Sequence, residues 1–276
     1  MTKLSVISGG AGGLGKAAAK ELGKYSTVIL ADYHHDHLLV AKKELDDLGI
    51  ENHALDVDIR DMQAVEKLVS FSASLGEVVN VIHAAGVSPT DALADEIIST
   101  NAAGTVNMVN AFYQVIAEGG IMINVASIAA HLLSIPDEAV ENYKAYDQPD
   151  FADRMLEAAR GMAEGGDDFT MAGIAYCLSK NFVLHFTRMN VLRFAGKGCR
   201  INSISPGSFL TPMHQSLIDK QPEVAEAQLF MIPCGRWGRP FEFGLLVDLL
   251  CRVPYVNGID VLVDGGQLSN TMVDQI

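Results

Sequence analysis

The stretch that most restricts what this chain can fold into is Gly9-Gly10-Ala11-Gly12-Gly13-Leu14-Gly15. It comes directly after the β-branched run Leu4-Ser5-Val6-Ile7-Ser8 and leads into the helix former Lys16-Ala17-Ala18-Ala19-Lys20-Glu21-Leu22. Strand, glycine-rich turn and helix in that order aim free backbone N–H groups and a positive helix end at a phosphate. Glycine is required because a Cβ would block either the tight turn or the approach of a pyrophosphate. The spacing Gly9-x-x-x-Gly13-x-Gly15 differs from the general Gly-x-Gly-x-x-Gly fingerprint, and glycine-rich turns also occur without a ligand.

The same alternation repeats past the first helix. A strand over 27–31 ends at Asp32, and an acid roughly 20 residues past such a loop accepts hydrogen bonds from adenosine ribose hydroxyls. A 2′-phosphate there would meet a carboxylate, positions 10–12 hold no basic residue, and no Lys or Arg comes after Asp32 until Lys42. Both facts favour NAD(H) over NADP(H). His34, His35, Asp36 and His37 superficially suggest a metal site. Adjacent residues point in different directions and no second ligand cluster pairs with them, so they read as a solvated helix start and no metal is expected. Next along the chain are a helix over 38–48, a strand over 53–58, a helix over Met62–Leu75 and an apolar strand over 78–83. Ala84-Ala85-Gly86 then offers small residues against which a ribose or flat ring could lie. Strand alternating with helix throughout makes a doubly wound α/β parallel sheet in a single domain, with no linker or repeat.

Further along, Asn101 falls in a helix, and Ser127 stands at the carboxyl end of an apolar strand over 121–126, where open α/β sheets bind ligands. A sixth strand covers 200–204, the apolar face after Tyr176 continues as one helix to Phe194, and 215–231 reads as one helix flanking the pocket. Met213, Leu217, Phe230 and Met231 are candidate lining or plain core. Trp237, the only tryptophan, precedes a helix opened by Pro240 and Glu242 and receives no catalytic role. In Tyr176-Cys177-Leu178-Ser179-Lys180 the phenol and amine stand four residues apart, on one face of a helix. An ammonium within a few ångströms can lower a phenol pKa by roughly 1–3 pH units, towards the range useful for acid–base catalysis.

Composition narrows the partners. A formal net charge of −14 disfavours nucleic acid and anionic membranes. The apolar stretch over 121–135 is interrupted by polar residues and is too short to span a bilayer. The N-terminus has no signal-peptide architecture, and Cys177, Cys199, Cys234 and Cys251 form no Cys-x-x-Cys pair. A cytoplasmic protein with reduced thiols is expected.

Together these residues resemble the short-chain dehydrogenase/reductase family over nearly the whole chain. The matching pieces are Ser8-Gly9-x-x-x-Gly13-x-Gly15, Asp32, Asp56-Val57, Ala84-Ala85-Gly86, Asn101, Ser127, Tyr176-x-x-x-Lys180, Ser205-Pro206-Gly207 with Thr211-Pro212-Met213, Gly235-Arg236-x-Gly238-x-Pro240-x-Glu242, and Gly258 through Val263-Asp264-Gly265-Gly266. The resemblance implies a Rossmann-type sheet and an NAD(H)-dependent enzyme interconverting alcohol and ketone. Tyr176 would be the proton donor and acceptor, Ser127 would bind the same substrate oxygen, and Lys180 would hold the nicotinamide ribose and lower the Tyr176 pKa. Asn101 would support a proton-relaying water. Gly9, Gly13, Leu14 and Gly15 would cradle the cofactor, Asp56 and Val57 would contact adenine, and Pro206, Gly207 and Phe209 through Thr211 to Met213 would close over the carboxamide. Relatives are commonly homodimers or homotetramers.

The chain departs from the pattern in four places. Ser8 replaces threonine but keeps a hydroxyl; His83 stands where asparagine is common. Only 15 positions separate Gly86 from Asn101, and as many as 49 separate Ser127 from Tyr176. Residues from about 131 to 170 therefore read as a helical insertion near the active-site mouth, with helices starting near Asp137 and Phe151. A substrate lid and an oligomer-contact or solvent-covering helical pair are equally compatible with it. Between Asp137 and Asp168 ten acids face three bases, so a lid would not attract a negatively charged substrate. The long insertion and short connection are similar to bacterial hydroxysteroid dehydrogenase/carbonyl reductases, which implies a steroid or another bulky secondary alcohol. An enoyl reductase is a further option, although the Tyr176–Lys180 spacing argues against it. A nucleotide-sensing regulator is the non-enzymatic option, although such proteins typically lose the Tyr/Lys/Ser set.

Overall fold

A computed structural model describes residues 1–273. In the first half β1 (Lys3–Ser8), α1 (Gly13–Leu22), β2 (Thr27–Asp32), α2 (His35–Asp47), β3 (Asn52–Asp56), α3 (Met62–Leu75) and β4 (Glu77–His83) alternate. Next come α4 (Ala94–Ile97), a π-helical turn (Ile98–Ala103), α5 (Gly104–Val115) and β5 (Ile116–Val125). The second half holds a 3₁₀ turn (Ile128–His131), α6 (Asp137–Glu141), a second 3₁₀ turn (Asn142–Ala145), α7 (Phe151–Ala163), α8 (Asp168–Met189), α9 (Val191–Ala195) and β6 (Arg200–Pro206). It closes with α10 (Pro212–Lys220), α11 (Pro222–Phe230), α12 (Pro240–Arg252), β7 (Asp260–Val263) and α13 (Gln267–Val273).

The seven strands form one parallel sheet in the order β3-β2-β1-β4-β5-β6-β7. Successive strand residues face opposite sides, so Val6, Ile29 and Val81 enter one core while Ile7, Leu30 and Ile82 enter the other. The strand order reverses between β1 and β4, which opens a crevice beyond their carboxyl ends. The Rossmann-type architecture expected from the sequence is the one observed.

Several boundaries differ from expectation for identifiable reasons. The expected single helix over 215–231 is two, because Pro222 pushes Gln221 out of helical geometry (φ −141°, ψ 65°). The helix carrying Tyr176 ends at Met189, where the Asn190 side chain folds back onto the Phe186 carbonyl, and 191–195 form a separate short helix. Strand β5 begins five residues before Ile121, and β3 stops at Asp56.

The insertion is welded to the larger core. Helix α7 packs on α8, on the π turn and on α4. Tyr143, Phe151, Met155 and Ala159 are buried, and the rings of Tyr143 and Phe151 meet Phe182 at 5.3 and 4.9 Å. Burying each large side chain contributes roughly 1.5–3 kcal/mol. The Tyr143 hydroxyl donates to Asn181 Oδ1 at 3.0 Å, and Asn181 Nδ2 donates to the Ala130 carbonyl at 2.9 Å. No helix among the described residues is long and apolar enough to cross a membrane.

Candidate active site

The glycine loop is shaped by backbone contacts that leave no room for side chains. Gly9 has φ +67°, and a Cβ on it would lie 2.6 Å from the Ala84 carbonyl carbon and the Ala85 nitrogen. A Cβ on Gly15 would lie 2.1 Å from the Gly9 oxygen. Gly12 caps α1 with no side-chain acceptor, so the first-turn N–H groups of Gly13, Leu14 and Gly15 have no intrahelical partner. They face a cavity of about 680 Å³ that is walled by this loop, Asp32, Val57, Ala84, Ala85, Gly86, Thr211 and Met213. A cavity of this size, with orphan donors at a helix N-terminus, fits a dinucleotide pyrophosphate.

Asp32 ties the loop to β2. Its Oδ2 accepts from the Ala11 N–H at 3.0 Å and its Oδ1 from the His34 N–H at 3.1 Å. Each oxygen keeps a second lone pair for a ribose hydroxyl. His34, not Asp32, is the N-cap of α2. Val57 is in the cavity wall as expected, but Asp56 is not: it leaves the strand on the other side and pairs with His35 Nδ1 at 2.9 Å.

The second half of the site assembles where β4, β5 and α8 converge. A Cβ on Gly86 would stand 3.0 Å from Asn101 Oδ1 and 3.2 Å from Lys180 Nζ, so these three residues meet. Asn101, in the π turn, accepts from the Val87 N–H at 2.9 Å and donates to the Val87 carbonyl at 3.0 Å. π turns insert a residue into a helix and commonly aim a functional group. Lys180 donates to the Val125 carbonyl at 3.0 Å, and its ammonium is 5.8 Å from the centre of the Tyr176 ring. The Tyr176 hydroxyl interacts with that of Ser127, which lies just beyond the end of β5 and also accepts from the Ala129 N–H.

The expectation that Lys180 lowers the Tyr176 pKa is not met: the phenol is raised, and Lys180 is not among the groups that shift it. Burial pushes the phenol up; Ser127 pulls it back. Burial also pushes the Lys180 ammonium down to about 8. Desolvation outweighs an attraction acting over such a distance, so both groups lean to their neutral forms. Between about 8 and the ordinary 10.5 the unfolded chain binds a proton that the folded one lacks, so stability rises with pH across that window. Holding the ammonium at neutral pH therefore costs about 3 kcal/mol. Lys180→Met should stabilise the protein by roughly 1–3 kcal/mol in urea unfolding at neutral pH, after about 1 kcal/mol is lost at the Val125 carbonyl. A destabilised variant would contradict this.

The cavity stops short of Ser127, Tyr176 and Lys180, and it does not touch Pro206, Gly207 or Phe209. Phe209 is buried and covers Gly238, while Gly207 abuts Asp264. Thr211 leans on the loop instead: its methyl would be 2.7 Å from a Cβ on Gly13. None of residues 131–167 lines this cavity; Asp168 and Phe169 reach a smaller pocket beside residues 89–93. Conversely, the cavity wall contains His34, His37 and Arg60, which sequence reasoning left as solvated residues or passed over. A surface cleft can be lined by exposed side chains, and the only available signal was their position just after β2 and β3.

A Rossmann sheet with a glycine cradle at its switch point, and a Tyr–Lys–Ser set at the adjacent strand ends, defines a nicotinamide-dependent type of oxidoreductase. Residues 3–145 match the short chain dehydrogenase family, and residues 163–267 match the family described as Enoyl-(Acyl carrier protein) reductase. The chain is 29% identical to the short-chain dehydrogenase/reductase bsc3 of Alternaria brassicicola, covering 98% of this chain and 97% of that protein. It is 27% identical to the 3-oxoacyl-[acyl-carrier-protein] reductase FabG of Thermotoga maritima, over 96% and 97%. Among solved structures, a dehydrogenase/reductase of Sinorhizobium meliloti superposes with a TM-score of 0.76 at 22% identity, over 96% and 94% of the chains. A short chain dehydrogenase of Burkholderia cenocepacia, in complex with NADP, superposes with a TM-score of 0.74 at 20% identity, over 96% and 97%. The chain belongs to the short-chain dehydrogenase/reductase family.

Proposed function

We propose that this protein is an NAD(H)-dependent enzyme that interconverts a secondary alcohol and a ketone, with a hydroxysteroid or a comparably bulky alcohol as substrate. The carrying observation is the convergence of Gly86, Asn101 and Lys180 beside Tyr176 and Ser127. When bound, the nicotinamide supplies or accepts the hydride. Gly13, Leu14 and Gly15 hold the pyrophosphate, Asp32 the adenosine ribose, and Lys180 the nicotinamide ribose. Ser127 hydrogen-bonds the substrate oxygen while Tyr176 gives it a proton in reduction or takes one in oxidation. Burial raises the Tyr176 pKa, which favours the protonated form that reduction uses.

The preference for NAD(H) rests on charge. One Arg and one Lys line the wall: Arg60 is gripped by Asp58 at 2.7 Å and lies 3.5 Å from Glu96, and Lys16 pairs with Glu44 at 2.8 Å. Lys42 pairs with Asp46. A 2′-phosphate would face Asp32, Asp58 and Glu96, and among the described residues each Lys or Arg in the wall is already paired with an acid. Asp32→Ala should raise the KM for NAD(H) by roughly tenfold or more, since it also frees the Ala11 N–H, and should shrink the NAD/NADP preference. Wild-type protein that turns over faster with NADPH would refute this reading of Asp32.

An apolar substrate is supported by Leu210, Met213, Leu93 and Phe169, exposed side chains on the segments flanking the two pockets. A homo-oligomeric assembly is supported by Phe241, Leu245 and Leu249, which form an exposed stripe along α12. Four free cysteines accord with a cytoplasmic location. Enoyl reduction is the second reading, favoured by the match over 163–267. A panel of steroid, sugar and small alcohols incubated with NAD⁺ tests the proposal: bulky secondary alcohols should reduce the cofactor fastest. Cofactor binding without turnover of any alcohol or ketone would point instead to a sensor.

A further inference from the structure

His83 is a fully buried histidine at the end of β4, and the reaction as proposed does not use it. Its Nδ1 is 2.7 Å from Ser8 Oγ, and its Nε2 is 3.0 Å from Thr105 Oγ1. The Thr105 hydroxyl donates to the Asn101 carbonyl at 2.7 Å. For a neutral imidazole these contacts admit one proton arrangement. Thr105 has a single hydroxyl proton, and the carbonyl, which can only accept, takes it. Thr105 Oγ1 must then accept from His83 Nε2–H. Nδ1 is therefore bare, and Ser8 must donate to it. The chain runs in one direction, from Ser8 through His83 and Thr105 to Asn101.

Its two ends lie in the two halves of the site. Ser8 immediately precedes Gly9, whose backbone abuts Ala84 and Ala85. Asn101 sits in the π turn, with its side chain on Val87 and 3.4 Å from the Ser179 hydroxyl, which in turn donates to the Tyr176 carbonyl. Burial, with Lys180 nearby, pushes the His83 pKa down to about 3, so a charged, doubly donating imidazole does not form at working pH. A buried polar chain in which every member is satisfied is rigid, and one missing member leaves two groups unpaired.

We propose that His83, as the Nε2–H tautomer, is a positioning residue: it turns the Thr105 hydroxyl onto the Asn101 carbonyl and thereby fixes the π turn that brings Asn101 to Gly86 and Lys180. This rests on the reading of Tyr176, Lys180 and Asn101 as the reaction site. Thr105→Val keeps the side-chain shape and removes the hydroxyl. It should lower kcat by on the order of ten- to a hundredfold, as a small misplacement of reacting groups does. The KM for NAD(H) should stay within about twofold, because the phosphate cradle is not touched. Thr105→Ser restores the hydroxyl and should recover most of kcat. Equal kcat in wild type and Thr105→Val, or a Thr105→Ser variant as impaired as Thr105→Val, would overturn the proposal.

A second measurement is independent of turnover and of any variant's folding. ¹⁵N NMR of histidine-labelled, cofactor-free wild-type protein should show one ring that is Nε2-protonated, bare at Nδ1 and unresponsive to pH across the neutral range. A full set of titrating rings, or a non-titrating ring protonated at Nδ1, would overturn the network. Wild-type protein with this ring but no alcohol or ketone turnover would count against the proposed function, and against a positioning role with it, while leaving the network intact.

Discussion

Tyr176→Phe is expected to lower kcat by roughly 10²–10⁴-fold while NADH still binds with near-wild-type affinity. The substitution removes one oxygen and keeps the ring that packs against the main core. In the proposed mechanism the phenol exchanges a proton with the substrate oxygen, and Ser127 can hydrogen-bond that oxygen without replacing the proton. Binding is expected to survive because the cradle of Gly13, Leu14 and Gly15 is assembled by β1, α1 and β2, away from α8. Stopped-flow kinetics for turnover and fluorescence titration for NADH separate the two effects. Near-wild-type kcat in the variant would remove Tyr176 from the mechanism.

Gly9→Ala should be severely damaging, because backbone strain and backbone overlap coincide at this position. Gly9 is held at φ +67°, which an L side chain rarely adopts, and the added carbon would meet backbone atoms of Ala84 and Ala85 at 2.6 Å. Those contacts are backbone on both sides, so neither can rotate away. Left-handed strain of about 1–2 kcal/mol adds to an overlap that only separation of β1 from β4 relieves. Loss of NADH binding with a lowered unfolding midpoint is the expected result. A variant that binds NADH as wild type does would show that the loop is not the cradle described.

How far the sequence discloses this molecule depends on the range of the interaction. The glycine turn, the strand–helix alternation and the break in 215–231 are local matters; Pro222 already signals the break through the restriction it places on Gln221. The π turn has no such signature, because an extra residue per turn is stabilised by what Asn101 touches, Val87 in the loop after β4 and Ser179 on α8, not by the residues 98–103 themselves. The insertion shows the same division. Its amphipathic helices at Asp137 and Phe151 are legible, but the partners of the insertion's apolar face are not: Phe182, met by Phe151, and Phe186, met by Tyr146, both on α8. The spacing of Tyr176 and Lys180 correctly indicates a shared helix face, yet the direction of the Tyr176 pKa depends on burial, which spacing does not carry. His83 is visible as a departure from the family pattern, but its partner Thr105 is brought to it only by the packing of α5 under β4.

If Tyr176 serves a carbonyl oxygen, the fate of the hydride reveals it most directly. With NADH carrying deuterium at the transferred position and a bulky α,β-unsaturated ketone as substrate, mass spectrometry should find the label on the carbinol carbon of an allylic alcohol. Label on the β-carbon of a saturated ketone would instead establish C=C reduction and contradict the assignment of Tyr176, Ser127 and Lys180 to a carbonyl site.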